Sequence, residues 1–381
     1  FFFKQKTAYE IYQCDWSSDV CSSDLYVFAD YDVDGASSAA QLVRWFRAMG
    51  AELPIYVPDR LTEGYGPSPA AFRHIREQGG ELVITVDCGA AAYDAIAAAA
   101  EIGLEVVVID HHLMKAEPPV CTAVVNPNRP GCGSGQGNLA AAGVTFVLLA
   151  ALNREARRRG LFQDRSEPDV RQWLDLAALG AVCDVTSLTG FNRALAAQGL
   201  KVMSAWRNPG LKALLEVAGG KGAASVFHAR FILGPRINAG GRIGRADLGA
   251  RLLSTDDAAE AADLAAQLDA LNTERKDVER AVQDEAIRRV EAASNFDPDA
   301  PLVVVSADGW HPGVIGIVAG RLRERWRKPV IVISLLGTAV GSFVTGAAGA
   351  LWVLFLGRVI DGGSDRKSTR LNSSHTDISR M

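Results

Sequence analysis

Asp30-Tyr31-Asp32-Val33-Asp34-Gly35 follows the short apolar run Tyr26-Val27-Phe28, and this stretch decides the fold of the chain. The apolar run predicts a buried strand, and Gly35 predicts a turn into a helix over 36–49. Three carboxylates crowded at the end of one strand repel each other unless a cation lies between them. The stretch therefore predicts a strand–turn–helix unit whose strand ends at a metal site.

Two further predicted strands also end in acidic residues. The run Val83-Ile84-Thr85-Val86 is followed by Asp87-Cys88-Gly89, and Val106-Val107-Val108-Ile109 is followed by Asp110-His111-His112. In a parallel sheet these carboxyl ends open onto one crevice, where the ligands of α/β proteins bind. Carboxylate oxygens together with imidazole suit a divalent ion such as Mn²⁺ or Mg²⁺.

The order of predicted elements indicates the α/β class. Helix-like runs fill 36–49, 67–78 and 90–102, between strand-like runs at 26–29, 53–57, 82–86, 105–109 and 121–125. This alternation predicts a doubly wound parallel sheet. A charged run over 256–293 predicts a long solvated connector helix. The strand-like run 302–305, the helix-like run 314–326 and the strand-like run 329–334 predict a second, smaller α/β domain that is truncated.

The two ends of the chain differ in character from the rest. Segments 1–25 and 366–381 resemble translated sequencing adapter, so we exclude them from the fold and expect the native part to be an internal fragment. Residues 330–357 carry no charge, and a hydropathy window predicts a membrane span over 335–356. We instead interpret this run as the result of a reading-frame slip near Gly337, and we predict no membrane partner.

Composition limits the classes of partner. The chain of 381 residues has a formal net charge of −4, so a nucleic-acid partner needs local basic patches. Outside the two tails the spacing of the cysteines indicates neither a zinc site nor a disulfide framework; they are Cys88, Cys121, Cys132 and Cys183. A reducing cytoplasm is the simplest location for such a protein.

Spacing alone allows Asp32, Asp34, Asp87 and His111 to form a two-metal site. Such a site needs a carboxylate that bridges the two ions, and Asp87, on a central strand, is the natural candidate. A single aspartate at a strand end is often only a helix N-cap, and for Asp34 alone we would favour that alternative. Three acidic strand ends in one sheet favour the metal site.

These motifs resemble those of the DHH phosphoesterase superfamily. The order is DYDVDG at 30–35, VDCG at 86–89 and DHH at 110–112, with AVCDV at 181–185 in the place of a fourth motif. Three further stretches resemble the RecJ-type single-strand-specific 5′-exonucleases; they are DRLTEGYG at 59–66, GPRINAGGR at 234–242 and GWHPGVIG at 309–316. The resemblance covers about 26–334.

The resemblance implies a set of metal ligands. Asp32 and Asp87 match the ligands of one ion. A second ion would be held by residues at four matching positions, namely Asp34, Asp87, His111 and Asp184. Asp30 lies beside these residues and would bind directly or through water. His112 matches a histidine near the scissile phosphate, and its alternative role is a hydrogen bond that orients a ligand.

The resemblance also implies residues that bind nucleic acid. Arg60 and Tyr65 match positions that hold the 5′ end and stack a base. The turn with Arg236, Asn238 and Arg242 suits a phosphate backbone, although an ordinary polar turn is the alternative. His311 would either touch the substrate or orient its own turn.

Two departures from the family pattern stand out. Phe28 occupies a position at which other branches carry a ligating histidine. Gly341-Ser342-Phe343-Val344-Thr345 replaces a Gly-Ser-Gly-Arg-Ser stretch, so that a phosphate-binding arginine is missing.

Together these features predict a metal-dependent 5′-to-3′ exonuclease of single-stranded DNA in repair and recombination. It would use two Mn²⁺ or Mg²⁺ ions, act as a cytoplasmic monomer, and have replication or repair proteins as candidate partners. The predicted domains are a DHH domain over 26–215, a linker over 216–296 and a truncated DHH-associated domain over 297–365. The alternatives are a phosphodiesterase of short oligoribonucleotides or cyclic dinucleotides, a non-catalytic replication scaffold, and a membrane protein that uses the 335–356 run.

Overall fold

The computed structural model describes residues 24–293 and 300–334. Almost all of the two adapter-like tails and the whole uncharged run 335–356 lie outside the described residues. In the part that is described, each helix is too short or too polar to cross a bilayer. The chain divides into two compact units at Asn272 and Thr273.

The first unit contains a five-stranded parallel sheet with the order β2-β1-β3-β4-β5. Its strands are β1 (Leu25–Ala29), β2 (Ile55–Tyr56), β3 (Leu82–Val86), β4 (Glu105–Ile109) and β5 (Ala123–Val125). The strand order reverses between β1 and β3, and the crevice at such a point is where ligands of open α/β sheets bind. The doubly wound parallel sheet of the sequence prediction is therefore confirmed.

Helices cover both faces of this sheet because consecutive strand residues alternate between two cores. Val27 and Ala29 join a core that includes Trp45 and Leu148, whereas Phe28 joins a separate core that includes Phe72. This alternation is the two-residue period of a strand that is buried on both faces. Phe28 stacks on Tyr56 at 5.3 Å between ring centroids, so this position serves packing here.

The helices of the first unit follow the predicted order. They are α1 (Val33–Ala48), α2 (Pro69–Glu77), α3 (Tyr93–Glu101), α4 (Ala141–Arg158), α5 (Leu174–Cys183), α6 (Gly190–Met203), α7 (Pro209–Val217), α8 (Gly234–Ile243) and α9 (Leu248–Ser254). A 3₁₀ turn at Val170–Trp173 precedes α5, and a π-helix at His228–Leu233 runs directly into α8.

The long connector helix is present as α10 (Ala258–Ala292), but it is not solvated throughout, because Ala261, Leu264 and Leu268 are buried in the core of the first unit. The boundary between the two units falls within it, whereas the sequence predicted that the second domain begins at 297. The second unit also contains β6 (Val303–Ala307), α11 (Pro312–Trp326) and β7 (Val330–Ser334), with β6 and β7 paired in parallel.

Some element bounds differ from the sequence prediction. β1 begins at Leu25, a residue that we assigned to the adapter-like tail, and Leu25 pairs with Leu82. β2 contains only two residues, because it is an edge strand that pairs with β1 alone. Edge strands are often short, since a long open edge invites pairing with other chains.

Asp175 is a buried carboxyl in the first turn of α5. Its Oδ1 accepts the N–H of Leu176 at 2.8 Å, and its side chain lies in the interior of the first unit. Burial raises the pKa of Asp175 to about 6, although this hydrogen bond and the charge of Arg44 oppose the shift. The folded state therefore favours the protonated acid.

We expect Asp175→Asn to stabilise the first unit at pH 8 but not at pH 4. Since the pKa is higher in the folded state than in the unfolded chain, wild-type stability falls as pH rises from about 4 to about 6 and is flat above that range. Above that range the ionised carboxyl lowers the free energy of unfolding by about 3 kcal/mol, and asparagine avoids this loss because it carries no charge. Urea unfolding of both proteins at each pH measures this difference, and a pH-independent difference would contradict the assignment.

Candidate metal centre

Asp87 lies at the centre of the acidic crevice, directly after β3. It is fully buried, and its N–H donates to the carbonyl of Ile109 at 3.0 Å. Its φ is 58°, in the left-handed region that aspartate tolerates better than most residues. Such backbone conformations persist where surrounding structure enforces them, and they cluster at functional sites.

Asp30 and Asp32 lie at the end of the neighbouring strand β1. Asp32 is the N-cap of α1, and its Oδ1 accepts N–H groups of Asp34 at 2.8 Å and Gly35 at 3.0 Å. A Cβ at position 35 would overlap the carbonyl oxygen of Asp30, which explains why glycine occupies this turn. One carboxylate oxygen each of Asp30, Asp32 and Asp87 lies within 4.8 Å of the others.

Asp34 caps a different helix from the one to which it belongs. Its Oδ2 accepts the N–H of Ala141 at 2.7 Å, and its Oδ1 accepts the N–H of Ala142 at 2.9 Å. Ala140, the N-cap residue of α4, has no side chain for this role, so Asp34 supplies the cap from 107 residues away. The positive end of the α4 dipole stabilises a negative carboxylate at this place.

His111 joins the carboxylates of the crevice into one cluster. Its Nε2 lies 3.2 Å from Asp87 Oδ1, 3.4 Å from Asp184 Oδ2 and 3.7 Å from Asp34 Oδ2. Asp184 is the C-cap of α5, so that three separate segments of the first unit meet at this imidazole. Asp34, His111 and Asp184 form a second group whose possible ligand atoms lie within 4.8 Å of each other.

His112 is held by Asp110, the first residue of the DHH motif. The Nδ1 of His112 donates to Asp110 Oδ1 at 2.6 Å, and backbone N–H groups of both histidines donate to the same oxygen. Asp110 Oδ2 accepts the N–H of Ala90 at 2.9 Å. Burial opposes ionisation of this carboxyl, but the hydrogen bond and charges of the histidines outweigh burial and hold the pKa of Asp110 below its ordinary value. This contact fixes the orientation of the ring and engages Nδ1 rather than Nε2.

The donor set fits divalent metal ions. The two groups described above and a third, formed by Asp87, His111 and His112, overlap through Asp87 and His111. Buried carboxylates at such distances repel each other in the absence of compensating positive charge. Carboxylate oxygens with one or two imidazoles, and no thiolate, suit Mn²⁺ or Mg²⁺ better than a structural zinc.

Two thiols lie beside these carboxylates and remain protonated. Burial, reinforced by the nearby charge of Asp30, raises the pKa of the Cys88 thiol well above its ordinary value. Burial also raises the pKa of the Cys183 thiol, with Asp32 as the next cause. The thiolate is the form of cysteine that binds metal, so these two side chains fill space next to the site.

Arg60 and Tyr65 meet at Tyr31. The guanidinium carbon of Arg60 lies 5.4 Å from the centre of the Tyr31 ring, and the ring of Tyr65 approaches Tyr31 edge-on at 6.4 Å. The hydroxyl of Tyr65 donates to the backbone carbonyl of Asp87 at 3.2 Å. Burial, and next the charge of Asp30, raises the pKa of Tyr31 to about 12, so this ring is neutral. In the same loop, Glu63 accepts hydrogen bonds from the Tyr56 hydroxyl and the Asp59 N–H.

The GPRINAGGR segment forms helix α8 and not the turn that the sequence predicted. Arg236 forms an ion pair with Asp269 at 2.8 Å and donates to the carbonyl of Ile232, and both of these partners lie within the first unit. Asn238 Oδ1 accepts the Val33 N–H at 3.1 Å, which ties α8 to the first turn of α1. The charge of Arg242 acts on Tyr31.

His311 belongs to the second unit. Its Nδ1 accepts the N–H of Gly313 at 3.0 Å, so it caps α11 and orients its own turn. This is the second of the two roles that the sequence left open.

Sequence reasoning missed two residues as members of the site. Asp110 was recognised only as an acidic strand end, although its position two residues before His112 allows a local contact with that ring. Tyr31 lies within the opening motif itself, between two acids. The sequence signal for including Tyr31 in the site was an aromatic residue that lies directly between two candidate metal ligands.

Three comparisons with known proteins agree with this geometry. The N-terminal domain of the DHH family matches residues 24–181. The single-stranded-DNA-specific exonuclease RecJ of Bacillus subtilis (strain 168) is 40% identical over 322 residues, which cover 84% of this chain and 39% of that protein.

Solved structures extend the likeness to three dimensions. A crystal structure of exonuclease RecJ bound to manganese gives a TM-score of 0.75 at 34% identity and covers 87% of this chain and 80% of that one. A crystal structure of RecJ from Thermus thermophilus in complex with Mn²⁺ gives a TM-score of 0.71 at 34% identity, with coverages of 87% and 46%.

The fold and the acidic crevice define a protein with a DHH-type α/β domain. Within that class, the chain belongs to the RecJ family. It spans 39% of the length of the Bacillus relative.

Proposed function

We propose that this chain carries the catalytic centre of a metal-dependent 5′-to-3′ exonuclease that hydrolyses phosphodiester bonds of single-stranded DNA. The observation that carries this proposal is the overlap of three groups of possible metal ligands at Asp87 and His111. Two ions that share a carboxylate are a recurring arrangement in nucleases and phosphatases.

The assignment of ligands supports a division of the site into two halves. Asp32 and Asp87, with Asp30 beside them, would hold one ion; the other ion would be held by Asp34, Asp87, His111 and Asp184. When bound, two Mn²⁺ or Mg²⁺ ions activate a water and stabilise the negative charge that develops at the scissile phosphate. The carboxylates of Asp30, Asp32 and Asp34 already accept backbone N–H groups, which lowers the reorganisation required.

His112 would act on the substrate rather than on an ion. Asp110 holds Nδ1 at 2.6 Å, so a protonated Nε2 can donate a hydrogen bond to an oxygen of the scissile phosphate. A charge-assisted bond of this kind strengthens as the phosphate gains negative charge in the transition state.

Arg60 and Tyr65 would determine which end of a DNA strand enters the crevice. A guanidinium binds a terminal phosphate through directional hydrogen bonds, and an aromatic ring stacks on an unpaired base without regard to sequence. The contacts of Arg60 and Tyr65 with Tyr31, beside Asp30, support their placement at the 5′ side of the acids.

Substrates that differ in strandedness and length test the proposal. With Mn²⁺ present, we expect single strands to be shortened from the 5′ end and a duplex with blunt ends to resist. Dinucleotides, short oligoribonucleotides and cyclic dinucleotides should react much more slowly. Faster cleavage of the short substrates would favour the rival phosphodiesterase, and binding of DNA without any hydrolysis would favour the scaffold.

We expect Arg60→Ala to remove the preference for a 5′-phosphorylated strand over a 5′-hydroxyl strand. The lost charge-assisted contact corresponds to roughly a tenfold change in kcat/KM on the phosphorylated substrate alone. Arg73→Ala, at an exposed arginine of α2, is the matched control. Both strand types are compared at one salt concentration, because phosphate contacts are salt-sensitive. If Arg60→Ala retains the preference, the 5′ polarity arises elsewhere.

The setting of this activity is also part of the proposal. We place the protein in the cytoplasm, acting as a monomer in DNA repair and recombination, with replication or repair proteins as candidate partners. Gel filtration coupled to light scattering tests the oligomeric state.

A further inference from the structure

A cluster of two exposed aromatic rings and one half-buried arginine lies on the π-helix and the residue before it. We call Phe227, Arg230 and Phe231 the aromatic patch. Phe227 is 60% exposed and Phe231 is 59% exposed, although phenylalanine is usually buried. The two ring centroids are 5.4 Å apart, and the guanidinium carbon of Arg230 lies 5.7 Å from the centre of the Phe231 ring.

The π-helix that carries most of the aromatic patch packs next to the candidate metal centre. The Sγ of Cys183 donates to the carbonyl of Ala229 at 3.4 Å, and a Cβ at Gly234 would lie 2.7 Å from the same sulfur. The π-helix is therefore packed against the end of α5, one residue before Asp184. π-helical turns are rare and occur frequently at functional sites.

Two arginine–aromatic contacts lie near different parts of the acid cluster. Arg60 contacts Tyr31, which lies between Asp30 and Asp32 in the sequence. Arg230 belongs to the π-helix that packs beside Cys183 and Asp184. A strand whose 5′ end is held at Arg60 and whose scissile bond lies at the acids can continue over the aromatic patch.

The chemistry of the aromatic patch favours a single-stranded nucleic acid. Exposed rings offer flat faces on which unpaired bases stack, and an arginine beside them supplies both a cation for the backbone and a planar stacking group. The carboxylates next to the patch would repel a phosphate unless metals neutralise them, so nearby cationic contacts are needed to hold the strand.

We propose that the aromatic patch binds single-stranded DNA on the 3′ side of the scissile bond. The inference rests on the proposed function and adds the path that the remaining strand takes. Bases of the retained strand stack on Phe227 and Phe231, and Arg230 contacts a phosphate between them. Strands too short to reach the patch lose this contribution.

Binding of long and short strands to the full chain tests the proposal. The probe is fluorescently labelled oligothymidylate of about 20 or about four nucleotides, used without divalent metal so that no strand is cut. We expect the double variant Phe227→Ala/Phe231→Ala to bind the long strand about tenfold or more weakly and the short strand unchanged. Phe191→Ala, at an exposed phenylalanine of α6, is the matched control and should change neither affinity.

Unchanged binding of the long strand by a folded double variant would overturn the proposal, as would equal weakening of both strands. Wild-type dimers that dissociate in the double variant, seen by sedimentation, would also overturn it and assign the patch to a second copy of the chain. Failure of the proposed function looks different, because wild-type protein would then cleave no strand in Mn²⁺ while the binding comparison still gives its own result.

Discussion

Asp87→Asn is expected to abolish Mn²⁺-dependent hydrolysis and to reduce the number of Mn²⁺ ions bound. Asp87 is the carboxylate common to two of the three ligand groups, and its neutral amide replacement cannot bridge two cations. Loss of this metal-borne stabilisation of the transition state corresponds to several kcal/mol, or about a thousandfold or more in kcat/KM. Kinetic assays and Mn²⁺ titration calorimetry measure the two effects.

Asparagine is the informative replacement because it keeps the backbone of the turn. The φ of Asp87 is 58°, and asparagine tolerates this left-handed conformation as well as aspartate does, whereas alanine would add strain. Asp94→Asn, at an exposed acid in the first turn of α3, removes a charge of the same type as a control. Near-normal turnover by a folded Asp87→Asn protein would rule out the bridging role.

The sheet of the first unit was predictable because its determinants are local. Short apolar runs that end in Asp30, Asp87 and Asp110 produced strands at nearly the expected bounds, and the parallel order brought those ends together. Parallel strands buried on both faces have continuous apolar sequences, so their positions can be recognised without knowledge of the rest of the chain.

Contacts between distant segments were not predictable from spacing. Asp34 was weighed as a possible cap, yet the helix that it caps begins 107 residues later. Arg236 was predicted to bind phosphate, and its pairing with Asp269 depends on how α10 packs, which no local pattern indicates. The division of the chain at Asn272 likewise lies within one continuous helix, and neither a glycine nor a proline marks it. The metal-ligand assignments of individual residues stay predictions.

Cap and ligand proved to be compatible roles at this site. Asp32 caps α1 and Asp34 caps α4, while both belong to groups that can hold a metal ion. A carboxylate has about four lone-pair positions, so two backbone hydrogen bonds leave capacity for a cation. The helix N-termini orient these carboxylates and favour their charged form before any ion binds.

Gly180→Ala is expected to weaken Mn²⁺ binding by about 10- to 100-fold, the range found when a group that orients a metal ligand is disturbed. A Cβ at this position of α5 would lie 2.5 Å from Asp34 Oδ1 and 2.6 Å from the Cβ of Ala142. Either Asp34 must turn away from Ala141 and Ala142, or α5 must move, and α5 carries Asp184 at its end. Both responses change the distances from His111 Nε2 to the carboxylates of Asp34 and Asp184.

A comparison of Mn²⁺ affinity with thermal stability distinguishes displacement of Asp34 or α5 from general destabilisation of the fold. Alanine is a better helix former than glycine by about 1 kcal/mol, which partly offsets the crowding, so we expect Mn²⁺ affinity to fall much more than thermal stability. Gly143→Ala makes the same change in α4, where the nearest atom belongs to the flexible Leu139 side chain at 3.1 Å. This control should leave Mn²⁺ binding near the wild-type value. If Gly180→Ala also binds Mn²⁺ as the wild type does, then Asp34 is a structural cap and the second ion needs another ligand.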